Sequence, residues 1–164
     1  MKTKRIIKDQ KGGALVEFAI VLSLLVIIAV GIMEFGILLY NKQVITNATR
    51  EAVRQGITGS NKDGDVVTED ELYKIVNDYC FGEDGNDSRL ITFGDDYSDN
   101  EFPDGDIIIN DDGGIDFTFR APLKVYVSYD YKFLVPSLFK LGNSITISAE
   151  TIMKMGQTAA GEES

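Results

Sequence analysis

From Ala14 to Tyr40 the chain is apolar at nearly every position, broken in polarity only by Glu17, Ser23 and Glu34. About 20 residues of helix cross a hydrocarbon core, so the pattern predicts a transmembrane helix over residues 13–40. The charge-free part, Phe18 to Met33, is longer than the ~7 to 15 apolar residues of a cleavable secretory signal, and no Ala-x-Ala site follows it. Beyond Tyr40 the pattern narrows to a stripe. Val44, Ile45, Ala48, Ala52 and Val53 recur at three- and four-residue spacing, which predicts that the helix continues over residues 41–56 with one face buried. Gly56 is expected as a left-handed cap after Arg54. Counted from Ala14 to Gln55 the helix would be about 63 Å long at ~1.5 Å per residue.

A polar, Gly-rich linker follows from Thr58 to Val67, and Thr68 with Glu71 then fits a capping box at the head of a short helix ending near Tyr79. Between Gly82 and Gly114 the chain is dense in Asp, Gly, Asn and Ser. Its apolar islands, Leu90 to Phe93 and Ile107 to Ile109, are expected as short strands. Ile115, Phe117 and Phe119 alternate with polar residues, as do Leu123, Val125, Val127, Tyr129 and Tyr131, while Ser144 to Met155 is rich in Ile and Thr. Period-two alternation predicts strands with one buried face. The expected fold is α+β: a long N-terminal helix, half in the membrane, packed on a small antiparallel sheet with one short extra helix. Residues 57–155 form the outer domain and residues 156–164 a loose polar tail.

Charge sharpens the membrane reading. Residues 1–12 carry Lys2, Lys4, Arg5, Lys8 and Lys11 against Asp9 alone, a basic leader that predicts a cytoplasmic N-terminus and an extracytoplasmic domain. The whole chain has 16 basic and 26 acidic residues, a net charge of -10, which disfavours nucleic acid as a partner. Histidine is absent, and with it the usual near-neutral base and the commonest metal ligand. No Gly-x-Ser-x-Gly elbow, P-loop or zinc spacing occurs, so neither an enzyme nor a cofactor is expected. Cys80, the single cysteine, lies in Tyr79-Cys80-Phe81 and is expected to be buried.

Glu17 carries the most information. An unpaired ionised acid in a membrane helix costs about 2.5 kcal/mol or more at the bilayer centre, so something should offset it. Cleavage between Gly12 and Gly13 would give a new α-ammonium four residues from Glu17, and the two could pair in low dielectric within or between subunits. It would also remove five cations and one acid, taking the net charge from -10 to -14. Glu34 falls about 32 Å along the helix from Gly13 at ~1.5 Å per residue, which places it at the outer interface, in reach of solvent. Acidic clusters at Asp95, Asp96 and Asp99, and at Asp104, Asp106, Asp111 and Asp112, offer hard oxygen ligands but match no twelve-residue calcium loop. They leave an alternative standing: an uncleaved single-pass protein whose acidic domain binds calcium or an extracellular partner.

The stretch Lys11-Gly12-Gly13-Ala14-Leu15-Val16-Glu17-Phe18, the later Glu34-Phe35-Gly36, and Ala48-Thr49-Arg50-Glu51-Ala52-Val53-Arg54 resemble type IV pilin signals, and more closely the TadE-like pseudopilins of the tight-adherence (Flp) system. The resemblance covers residues 11–56. Three departures are Ser23-Leu24, where family members often place a proline, Ile37, where a basic residue often follows the glycine, and one cysteine where many have a pair. Resemblance to this family implies a pilin-like fold, with Glu17, Phe18 and Glu34 as assembly residues. It also implies processing at Gly12 and Gly13 by a prepilin peptidase, an inner-membrane assembly platform and ATPase as partners alongside other pilin subunits and the bilayer, and a place in a pilus.

Overall fold

The computed structural model describes residues 10–58, 67–83, 87–92, 101–103, 105–110, 115–116, 120–135 and 143–155. The leader up to residue 9, most of the 58–67 linker, the strand expected at residues 117–119 and the tail lie outside them. The elements in chain order are α1 (Gln10–Gly56), α2 (Glu69–Phe81), β1 (Ile107–Ile109), β2 (Pro122–Lys132) and β3 (Ser144–Lys154). This is α+β with a long N-terminal helix. The chain divides into two compact units, Met1–Gly36 and Ile37–Ser164.

In the first unit α1 starts at Gln10, four residues earlier than the apolar pattern suggests. Its apolar side chains face outward. Leu15, Val16, Phe18 and Ile20 are all more than 60 % exposed, and Leu22 to Ile28 range from 45 to 59 % where large side chains occur. No part of the most apolar 18-residue window is buried. A helix apolar around its whole circumference is normally a buried or membrane-spanning one. This helix fits a membrane anchor by length and composition.

In the second unit the stripe on α1 becomes core. Val44, Ile45, Ala48, Ala52 and Val53 are buried with Leu72, Val76, Cys80 and Phe81 of α2 and with Leu123, Val125, Val127, Tyr129 and Tyr131 of β2. The alternation read along β2 holds at each of those five positions. β2 pairs antiparallel with β1 on one side and β3 on the other, as in Val127 opposite Ile107 and Ala149. The third strand is therefore Ile107–Ile109. Leu90 to Thr92 is irregular rather than a strand, and Ile115 and Asp116 are likewise outside the sheet. The reason at Leu90 to Thr92 is that its backbone finds partners elsewhere: Leu90 N–H donates to Cys80 O and Ile91 N–H to the Asn41 side chain.

α2 is stopped and started as its sequence indicates. Glu71 N–H donates to Thr68 Oγ1 at 3.3 Å, and Thr68 N–H donates to Glu71 Oε2 at 3.0 Å, the reciprocal capping box. Gly82 ends the helix with φ 83°, a conformation that costs a residue with a Cβ more than glycine.

Gly56 differs from its expected role. It is the last residue of α1 and is not left-handed; a Cβ there would run into Leu123 Cδ2 and lie 3.4 Å from both Leu72 methyls. Glycine leaves room for these two buried leucines where α1, α2 and β2 meet. Alanine is the better helix former by about 1 kcal/mol, so propensity alone predicts that Gly56→Ala stabilises. The packing predicts the reverse: overfilling costs ~1 to 3 kcal/mol, and urea denaturation should show a lowered midpoint.

Candidate functional site

The residues singled out on the first helical segment are exposed. Gly12 and Gly13 lie within α1, and no side chain or distant backbone comes within 4 Å of where a Cβ would stand on either. Glu17 is exposed and Phe18 is 63 % exposed. Gly13 and Glu17 are four residues apart in one helix, so they share a face about one turn apart. Phe18 stands next to Glu17 in the run of outward-facing apolar side chains.

Glu34 corrects the expectation of a solvated carboxylate. It is 3 % exposed, whereas Met33 and Phe35 on either side are 59 and 62 % exposed. A carboxylate taken out of water in this way costs free energy unless hydrogen bonds compensate, which sets Glu34 apart from an ordinary interfacial acid.

A polar seam occupies the next turns of α1, which the pattern of apolar residues alone does not predict. Asn41 is fully buried. Its Nδ2 donates to Ile91 O at 2.7 Å and its Oδ1 accepts from Ile91 N–H at 3.0 Å, so one side chain serves both backbone groups of Ile91 as a neighbouring strand would. Tyr129 Oη adds a donor to Ile91 O at 3.4 Å. Farther along, Lys42 Nζ donates to Ser148 O, and Thr49 Oγ1 meets Thr151 Oγ1 at 2.8 Å. The signal was present: Asn41, Ile45, Ala48 and Ala52 continue one helical stripe, and a polar residue on a buried stripe must be hydrogen-bonded.

At the top of α1, Glu51 accepts from Arg54 Nε and Nη2 at 2.9 and 2.6 Å and from Gln55 Nε2 at 2.8 Å. The Arg54 hydrogen bonds, and then that of Gln55, hold the Glu51 carboxyl down at about 2. This is a solvent-screened surface ion pair, so it adds little to stability. Its contribution is present above the ordinary carboxylate range and is lost as pH falls toward 2.

Of the acidic candidates, Asp106 alone is described; Asp95, Asp96, Asp99, Asp104, Asp111 and Asp112 lie outside the described residues. The Asp106 backbone O accepts from Ser128 N–H at 2.7 Å and its Oδ1 from Ser128 Oγ at 3.1 Å, so its carboxylate is engaged in holding the head of β1 to β2. Among the described residues no group of three or more His, Cys, Asp or Glu side chains could hold a metal ion.

Comparison with known proteins adds a match at one end of the chain. The family model described as TadE-like protein matches residues 12–54, which contains Gly12, Gly13, Glu17, Phe18, Glu34, the seam residues and the Glu51 pair. No curated protein and no solved structure matches.

Cys80 is fully buried in the α2 face of the core. Burial pushes its thiol up from 9.0 to about 12, with a smaller opposing pull from the Arg89 guanidinium. A thiol that stays neutral when folded but ionises near 9 when unfolded contributes stability that is complete below that range and lost as pH rises toward 12. We therefore expect native protein at pH 8 to resist a thiol-specific disulfide reagent and to react at once in denaturant. The urea midpoint should fall more steeply between pH 8.5 and 11 than that of Cys80→Ala.

Proposed function

Proceeding from the TadE-like match over residues 12–54, we propose that this chain is a membrane-anchored, non-catalytic pilin-like subunit of a tight-adherence type pilus assembly. In this reading a prepilin peptidase cuts between Gly12 and Gly13, and the first half of α1 assembles against other pilin helices. The domain from Ile37 onward is carried outside the membrane.

The observation that carries the proposal is the outward-facing apolar surface of α1 with a carboxylate set in it one turn from Gly13. A surface of this kind is unstable in water and gains from lipid or from other apolar helices. Within it Glu17 is the costly group. A chain starting at Gly13 has its ammonium on the same face as Glu17, and the two attract strongly where water is excluded. In a bundle of such helices the ammonium of one subunit can also serve the Glu17 of its neighbour, which fixes axial register because a one-turn slip leaves both charges without partners. Phe18 and the apolar side chains beyond it supply contact area, and this area is indifferent to register. Lys2, Lys4, Arg5, Lys8 and Lys11 hold the uncut chain in the membrane with its leader inside, so their removal also releases the helix for extraction by an assembly ATPase and platform.

The test uses the full chain expressed in cells that carry the pilus system. Intact-mass measurement of membrane-extracted protein should show loss of residues 1–12. Retention of the leader in peptidase-competent cells would contradict the proposal and favour an uncut anchor. Glu17→Ala should insert normally and yet enter the assembly at least about tenfold less, the equivalent of ~1.4 kcal/mol. Incorporation at the wild-type level would contradict the pairing.

A further inference from the structure

β3 is an edge strand with an unusually clear free side. Ser128 N–H donates to Asp106 O, and Lys124 exchanges bonds with Asn110, its O accepting from Asn110 N–H and its N–H donating to Asn110 Oδ1. Even-numbered β2 residues thus direct their backbone groups toward β1. Opposite partners in an antiparallel ladder either bond each other or both face away. The β3 partners of these residues, Ser148 opposite Ser128, Glu150 opposite Tyr126, Ile152 opposite Lys124 and Lys154 opposite Pro122, therefore direct their N–H and C=O groups away from β2. Among the described residues, Lys42 Nζ on Ser148 O is the one hydrogen bond made to this edge. Among the described residues no hydrogen bond reaches the outer backbone groups from Glu150 to Lys154, and Ile152 on this edge is 55 % exposed.

An open row of backbone donors and acceptors is a template for another strand. The side chains specify which. Glu150, Ile152 and Lys154 share one face of the sheet, and an antiparallel copy of the same segment centred on Ile152 sets Ile152 against Ile152. It also sets each Glu150 against the other copy's Lys154. Moving the centre to Glu150 opposes two carboxylates and runs into Lys42 at Ser148. Moving it to Lys154 opposes two ammonium groups. The segment is complementary to itself in one register, with opposite charges directly across the strands.

We propose that the free edge of β3 is a self-association surface, at which two copies of this chain pair antiparallel about Ile152. The two three-stranded sheets become one sheet of six strands related by a two-fold axis, an isologous and closed contact. Lys42, Thr49 and Gly56 of α1 meet Ser148, Thr151 and Leu123, the last paired with Met153. Thus within the second unit α1 over residues 37–56 and β3 run the same way, and the two-fold axis reverses both.

The test uses the full chain in detergent micelles, with the mass of the protein part followed by analytical ultracentrifugation. Wild type should form a dimer. Lys154→Glu and Glu150→Lys should each stay monomeric, since like charges then oppose. Mixing the two should restore the dimer, because each Glu then faces a Lys. Independently, Ile152→Cys should form a disulfide-linked dimer under mild oxidation; the Cα separation of a bonded antiparallel pair is about 5.5 Å, within disulfide range. A monomeric wild type, dimerisation indifferent to the charge reversals, a mixture that stays monomeric, or absence of the Ile152→Cys dimer would each overturn the proposal.

Discussion

A helix that is apolar around its whole circumference has no stable place in water, and that constraint governs the rest of this molecule. Every large side chain from Leu15 to Ile28 on α1 is exposed, so the first half of the helix must be covered by lipid or by other helices. Once it is covered, every polar group within it becomes expensive. Glu17 then has to be neutralised or paired. Its position one turn from Gly13 would bring it a partner in a chain that began there, which is the cleavage proposed above. In that proposed function, anchoring, scission and register answer one solvation problem.

The same helix changes character over a few residues. Asn41, Lys42 and Thr49 bond to Ile91, Ser148 and Thr151, while Ile45, Ala48, Ala52 and Val53 pack into the core. The small side chains of Ala48, Ala52 and Gly56 let α1 approach the sheet and α2 closely, and at Gly56 no Cβ fits without displacing Leu123. The polar bonds contribute little net stability apiece, about 0.5 to 1.5 kcal/mol. Their larger effect is positional, because a buried amide such as Asn41 tolerates one arrangement of its partners. Residues 41–56 of α1 are thereby fixed to the sheet and α2 in one arrangement.

Much of this was legible in the sequence because the two periodicities involved are strong and local. The long apolar run, the 44–53 stripe, the Thr68 and Glu71 box and the alternation along β2 each depend on residues a few positions apart, and each holds in the structure. What was missed depends on contacts distant in sequence. Leu90 to Thr92 has strand-like composition, yet its backbone is claimed by Cys80 and Asn41, 50 residues away in the case of Ile91. Gly56 looked like a cap because glycine after a basic last turn usually is one. Its real constraint, Leu123, is invisible to local pattern. Glu34 was placed in solvent by counting rise per residue, which says nothing of what surrounds a side chain, and it is buried. Glu17, by contrast, needed no structure to stand out, since one acid in an apolar run is anomalous on solvation grounds alone.

In the anchored subunit, before assembly, the first half of α1 should be covered by lipid on all sides. Nitroxide labels placed one at a time at Leu15, Phe18, Val21, Leu24, Ile28 and Ile32 in bilayer-reconstituted protein test it directly, because the relative accessibility to oxygen and to a water-soluble nickel complex distinguishes lipid from water. Cys80 is buried and should not take the label. The account predicts oxygen-favoured relaxation at all six positions, with no helical periodicity. Nickel-favoured relaxation on one face, repeating every three to four residues, would mean a water-exposed side and would contradict it.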